Sequence, residues 1–185
     1  TGDFMGYILG LFLGCVDVAP PPADQLTHVP EVQKCSTLKD HTICDFDAIN
    51  EIGEDAFLSD LYGKPIILDI SAMWCGPCQL AGRHMQATSD EFDDINFLTI
   101  LIEDGQGNVP ETNDIEGWKE SLGITSCPVW GSSREIISND PTDLETKLYL
   151  DSWPTFYLID SNGKVQGYMR GYNENALREA ALGLE

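Results

Sequence analysis

Residues 65–78 read PIILDISAMWCGPC. An unbroken apolar run with a single Asp is the pattern of a parallel strand buried on both faces, which needs cover above and below it. The run leads into Cys75-Gly-Pro-Cys78 and then QLAGRHMQATSDEF, where Leu80, His84 and Met85 fall at helical spacing around Gly82. A strand followed by a Cys-x-x-Cys that opens a helix is the strongest constraint the chain carries on its fold.

The rest of the chain extends that unit. INFLTILIED (95–104) reads as a second buried strand, and IEGWKESLG as a helix closed by Gly123. FDAINEIGEDAFLSDLYGK, from residue 46, reads as a strand or hairpin followed by a short helical turn, and CPVWGSS as a short strand. PTDLETKLYLD (141–151) is expected to be a helix with Asp or Thr near its start. PTFYLID, SNGK and VQGYMRGY form a hairpin pattern, and ENALREAALGLE a closing amphipathic helix. Early alternation with a late antiparallel pair predicts an α/β fold: a mixed central sheet with helices on both faces.

Upstream of residue 46 the pattern weakens. FMGYILGLFLGC (4–15) is too short to span a bilayer, which takes about 20 residues. Its length suits a signal-peptide core, and the alternative is an apolar segment packed on the domain. The Leu-Gly-Cys ending resembles a bacterial lipoprotein cleavage site, which would make Cys15 the lipidated residue. VDVAPPPAD then reads as a Pro-rich tether. The expected organisation is a signal or lipoprotein segment at 1–15, a linker or extension at 16–45, and one domain at 46–185. Export to the bacterial periplasm or cell envelope, with membrane anchoring through Cys15, follows from that reading.

Charge excludes one class of partner. With 31 acidic and 10 basic residues the chain carries −21 and repels phosphate backbones, so nucleic acid is not expected to bind. Six cysteines are present: 15, 35, 44, 75, 78 and 127. Cys35 and Cys44 close a short loop in CSTLKDHTIC and are the natural structural disulfide if the compartment is oxidising. Cys127 is either a buried free thiol or a third redox thiol, and Trp118 and Trp130 are expected core aromatics.

Cys75 and Cys78 admit a redox or a metal reading. Zinc needs two further ligands; Cys35, His41 and Cys44 match no common zinc spacing, and a second Cys-x-x-Cys is absent from the sequence. No metal or other cofactor is expected. The redox reading has a physical basis. A helix N-terminus carries partial positive charge and unpaired N–H groups, so a thiolate at Cys75 is stabilised and its pKa falls. Cys78, one turn on and more shielded, is placed to attack a mixed disulfide at Cys75. Pro77 suits the first helical turn, where its missing N–H costs little.

WCGPC (74–78) resembles the active-site motif of the thioredoxin superfamily, and the likeness extends over about residues 46–185. LSDLYGKPIILDISAMWCGPC and GWKESLGITSCPV resemble the exported TlpA and ResA type of that superfamily. The resemblance implies a thioredoxin-like fold and thiol–disulfide oxidoreductase activity. Asp69 would take the proton of Cys78; the alternative is a strand Asp satisfied by backbone. SWPTFYLIDSNGKV resembles the family's cis-proline loop, with Trp153-Pro154 as the cis bond facing the cysteine pair. Trp74, Gly76, Pro77, Trp153 and Pro154 are the substrate-contacting positions so implied. Protein thiols and disulfides are the implied substrates, with an unidentified electron donor, and the Gly-Pro spacer resembles reducing members. A peroxiredoxin-like peroxidase and a non-enzymatic adaptor or metallochaperone are the alternatives; the Pro-x-x-x-Thr-x-x-Cys site of the first is lacking from this sequence.

Overall fold

The computed structural model describes residues 35–143 and 145–184. The segment 1–15, Cys15 and most of the expected linker therefore lie outside the described residues. In chain order the elements are β1 (Ala48–Ile49), β2 (Asp55–Ala56), a 3-10 turn (Leu58–Leu61), β3 (Ile66–Ser71), α1 (Gly76–Ser89), β4 (Asn96–Leu101) and α2 (Thr112–Leu122). There follow β5 (Val129–Gly131), a 3-10 turn (Arg134–Ile136), β6 (Ile137–Ser138), β7 (Leu148–Tyr149), β8 (Thr155–Ile159), β9 (Val165–Arg170) and α3 (Glu174–Leu182).

Seven strands form one mixed sheet in the order β2-β1-β5-β4-β3-β8-β9. The centre is parallel, β5-β4-β3, and β8 joins β3 antiparallel, pairing Asp69 with Phe156. All six residues of β3 are buried, which is why its sequence is apolar without alternation. Strand alternation sends Ile66, Leu68 and Ile70 into one core cluster and Ile67 into the other.

Helical cover on the two faces is uneven. Side chains of α1, α2 and α3, including Cys78, Met85, Trp118 and Leu177, pack together on the Ile67 face. The opposite face is closed by Leu58 of the first 3-10 turn together with Ile43, Phe46, Leu148 and Leu150 from non-helical segments. The helix expected over 141–151 does not form. Leu148 and Leu150 are buried while Tyr149 between them is half-buried, a period of two that belongs to extended chain, and Leu148 pairs with Ile137 in a two-stranded sheet. An Asp140 carboxylate accepting from the Thr142 N–H and hydroxyl forms a side-chain turn at the position of the expected helix start.

The expected boundary at residue 46 also moves. Residues 35–45 are part of the packed unit: Asp40 N–H bonds to Val165 O, Val165 N–H to His41 O, and Ile43 N–H to Gly163 O. Ile43 is almost fully buried. Among the described residues no helix is long and apolar enough to cross a membrane.

Candidate functional site

The end of β3 and the start of α1 are joined by a tight loop in which Cys75 N–H bonds to Ala72 O and Met73 N–H to Glu103 O. Cys75 is the N-cap of α1, with extended backbone, and its sulfur accepts the Cys78 N–H at 3.1 Å. That N–H is one of the orphan donors of a helix start, so the sulfur occupies the place that a Ser or Asp oxygen usually takes. Pro77 sits in the first turn, where no backbone donor is needed. Cys75 and Cys78 are joined as a disulfide. Cys75 is 3% exposed and Cys78 fully buried, while Trp74, Gly76 and Pro77 form an exposed rim.

Asp69 lies one pleat beyond Ile67 on the helix-covered face and has no solvent exposure. Its carboxylate accepts the Ser71 hydroxyl at 2.8 Å and the Thr99 hydroxyl at 3.3 Å. Burial pushes its pKa up from 3.8 to about 7, and the two hydroxyls counter this only in part. A carboxyl so placed exchanges its proton near neutrality.

The Trp153-Pro154 bond is cis. The Trp153 ring meets Trp74 edge-on, with centroids 5.5 Å apart, which sets the proline loop beside the cysteine pair. Pro154 O accepts the Gly171 N–H at 2.7 Å. Tyr172, next in the chain, leans on Phe156 and bonds through its hydroxyl to His84 Nδ1 at 2.8 Å. The cysteine helix and the proline hairpin are thereby tied together twice, at Trp74 and at His84. Burial, reinforced by the Glu174 carboxylate, pushes the Tyr172 phenol up to about 12.

Two residues of the site are missing from the sequence expectations. Glu103, just after β4, accepts the Trp74 indole N–H at 2.6 Å and pairs through its other oxygen with Arg134 Nε. The Arg134 guanidinium holds the Glu103 carboxyl below its usual range although Glu103 is only 8% exposed. An acidic pair ending a buried strand, ILIED, was the available hint; its partner lies 31 residues on.

The remaining cysteines lie elsewhere. Cys35 and Cys44 are bonded to each other. Cys127 is a buried free thiol bonded to the Ser89 hydroxyl at 2.9 Å, and burial pushes its pKa up. Among the described residues no three His, Cys, Asp or Glu side chains gather as a metal site.

A mixed sheet flanked by helices, with a cysteine pair heading the first helix and a cis-proline strand beside it, is a thioredoxin-like fold. Residues 40–168 match the AhpC/TSA family, and the chain belongs to it. It is 32% identical over 73 residues to the thioredoxin of Acidithiobacillus ferridurans, covering 38% of this chain and 68% of that one. Six other curated thioredoxins are matched over only 31–49% of their length. Among solved structures, a thioredoxin-family thiol:disulfide interchange protein from Chlorobium tepidum superposes with a TM-score of 0.61 at 20% identity, covering 80% of this chain and 97% of that one. The pneumococcal exposed lipoprotein thioredoxin from Streptococcus pneumoniae does so with a TM-score of 0.57 at 24% identity, covering 76% and 100%.

Proposed function

We propose that this protein is a thiol–disulfide oxidoreductase that reduces disulfides of exported proteins. The observation that carries the reading is the Cys75–Cys78 pair at the N-terminus of α1, with the Cys78 N–H aimed at the Cys75 sulfur. In the reduced protein the same N–H and the helix dipole stabilise a Cys75 thiolate. That thiolate attacks one sulfur of a client disulfide; the client S–S bond breaks and its other sulfur leaves as a thiolate that takes a proton from water. Cys78 passes its proton to the Asp69 carboxylate and attacks Cys75 in the mixed disulfide, releasing the second client thiolate. The client gains two electrons and the Cys75–Cys78 disulfide forms. A dithiol donor, still to be identified, returns the two electrons.

Trp74, Gly76, Pro77, Trp153 and Pro154 are the proposed walls of the client groove, supported by the exposed rim and by the Trp74–Trp153 contact. The stapling role of Cys35–Cys44 belongs to the same proposal. Export, and a lipid anchor at Cys15, are supported by the likeness to a protein described as an exposed lipoprotein thioredoxin. A peroxidase reading has less support, because Leu68 and Ala72 stand where a Pro-x-x-x-Thr-x-x-Cys site ending at Cys75 needs Pro and Thr.

The test is reduction of insulin with a dithiol donor by wild type and Cys75→Ser. Wild type is expected to be active and the variant inactive; equal inactivity overturns the reading, and binding without turnover points to an adaptor. Equilibration of the pair against glutathione buffers gives its potential. A value near those of reducing dithiols supports reduction as the direction, and a strongly oxidising value reverses it.

A further inference from the structure

We infer that Arg134 selects clients, favouring a carboxylate beside the cysteine under attack. The inference rests on the oxidoreductase reading and names the chemistry its groove prefers. A cleft of about 400 Å³ opens next to Trp153, lined by Arg134, Ser138, Asn139, Leu150 and Asp151 among others. Trp153 precedes the cis proline and touches Trp74, so the cleft continues directly from the rim of the cysteine pair. A client held at Cys75 lays its flanking residues along this wall.

Arg134 is the charged feature of the cleft with unspent donors. Its Nε is committed to Glu103, yet its side chain stays 61% exposed, and its two terminal nitrogens make no hydrogen bond among the described residues. A guanidinium bound through Nε still offers those nitrogens as a fork matched to a carboxylate. The opposing carboxylate in the cleft is already answered: Asp151 pairs with Arg170 at 2.8 Å and accepts from the Tyr149 hydroxyl. Two of the chain's four arginines thus cancel Glu103 and Asp151 at this rim, in a chain of net charge −21. The local balance removes the repulsion an acidic client segment would meet over much of the surface. What remains facing the cleft is a donor fork.

The experiment uses three disulfide peptides identical except for Glu, Gln or Lys beside one cysteine. For wild type, kcat/KM is expected to run Glu above Gln above Lys, with a Glu-to-Gln ratio of about 1.5- to fivefold, the span of an exposed ion pair. In Arg134→Lys, where a single ammonium at Glu103 leaves no fork, the ratio falls to about one. Arg134→Met should collapse it as well, with near-ultraviolet circular dichroism reporting the fold. A ratio of one or below in wild type overturns the inference. Binding of the same peptides with serine in place of cysteine, followed by tryptophan fluorescence, separates the two readings. Charge-dependent binding without turnover sinks the oxidoreductase and keeps the cleft; turnover without charge dependence does the reverse.

Discussion

The Trp74 indole N–H lies 2.6 Å from Glu103 Oε2, while the backbone carbonyl of Glu103 takes the Met73 N–H. One residue just after β4 therefore holds the loop before Cys75 by both its side chain and its main chain. Arg134 keeps that carboxylate ionised although it is nearly buried.

Glu103→Ala removes the acceptor and leaves the indole N–H with no described partner. A hydrogen bond to a charged group is worth about 1.5–3 kcal/mol, and that loss is expected in urea unfolding of the oxidised protein. Glu103→Gln keeps an acceptor for Trp74 and gives up only the ion pair, so it should lose about 1 kcal/mol or less. Equal losses for the two variants would assign the effect to Arg134 rather than to Trp74.

Sequence periodicity exposed what is held by side-chain pattern and missed what is held by distant backbone. β3, β4, the β8–β9 hairpin and α3 each carry a run or a period matching their burial, whereas of the α1 spacing Leu80, His84 and Met85 only Met85 is buried and Leu80 is exposed. Residues 35–45 do not. Their polar loop is fixed by main-chain bonds to Gly163 and Val165, more than a hundred positions away, which no local pattern announces. Asp or Thr near the start of PTDLETKLYLD suggested a helix, but burial of both Leu148 and Leu150 favours extended chain there. Gly82 weakened the helical pattern of α1 for a reason of packing: a Cβ there would come 2.5 Å from Leu122 Cδ1, so α2 approaches closely at that point. In the candidate site, Cys75 and Cys78 were legible from their spacing at a helix start, and Asp69 and Pro154 only through the resemblance to the thioredoxin superfamily. Glu103 and Arg134 became visible only once β4 and the segment after β5 were side by side.

Gly163 closes the β8–β9 turn with φ +78°, and a Cβ on it would collide with the Tyr62 ring. Gly163→Ala combines a left-handed backbone penalty with displacement of a half-buried aromatic. A loss of about 2–4 kcal/mol is expected. The measurement is the urea midpoint. A loss of only about 1 kcal/mol would leave the backbone penalty alone and mean that Tyr62 turns away freely.

The Cys35–Cys44 disulfide closes a loop with a sequence separation of 9. Loop-closure entropy for that length gives about 2–3 kcal/mol, and the loop carries Ile43 into the core behind the sheet. The Cys35→Ser, Cys44→Ser pair should lose that stability and expose the amides of Ile43 and Val165 to faster hydrogen exchange. Insulin reduction should continue at temperatures where the double variant stays folded. Loss of turnover in a folded double variant would give this disulfide a part in the chemistry instead.

Asp69 makes stability fall as pH rises. Its carboxyl titrates at about 7 in the folded protein, against 3.8 without the burial. Below 3.8 both folded and unfolded chains hold the proton, and the group contributes no difference. Between 3.8 and 7 the unfolded chain releases the proton and the folded chain keeps it, so unfolding becomes easier by about 1.4 kcal/mol per pH unit. Above 7 both have released it and the cost levels off near 4 kcal/mol. Asp69→Asn retains an acceptor for the Ser71 hydroxyl and cannot ionise, so this slope should vanish in the variant. The stability difference, variant minus wild type, should grow from pH 4 to 7 and then stay constant in the oxidised protein. The same variant should reduce insulin at least about tenfold more slowly at neutral pH, because Cys78 loses its proton acceptor. A pH-independent stability difference would show that the carboxyl is ionised throughout; unchanged turnover would remove Asp69 from the reaction while leaving its effect on stability.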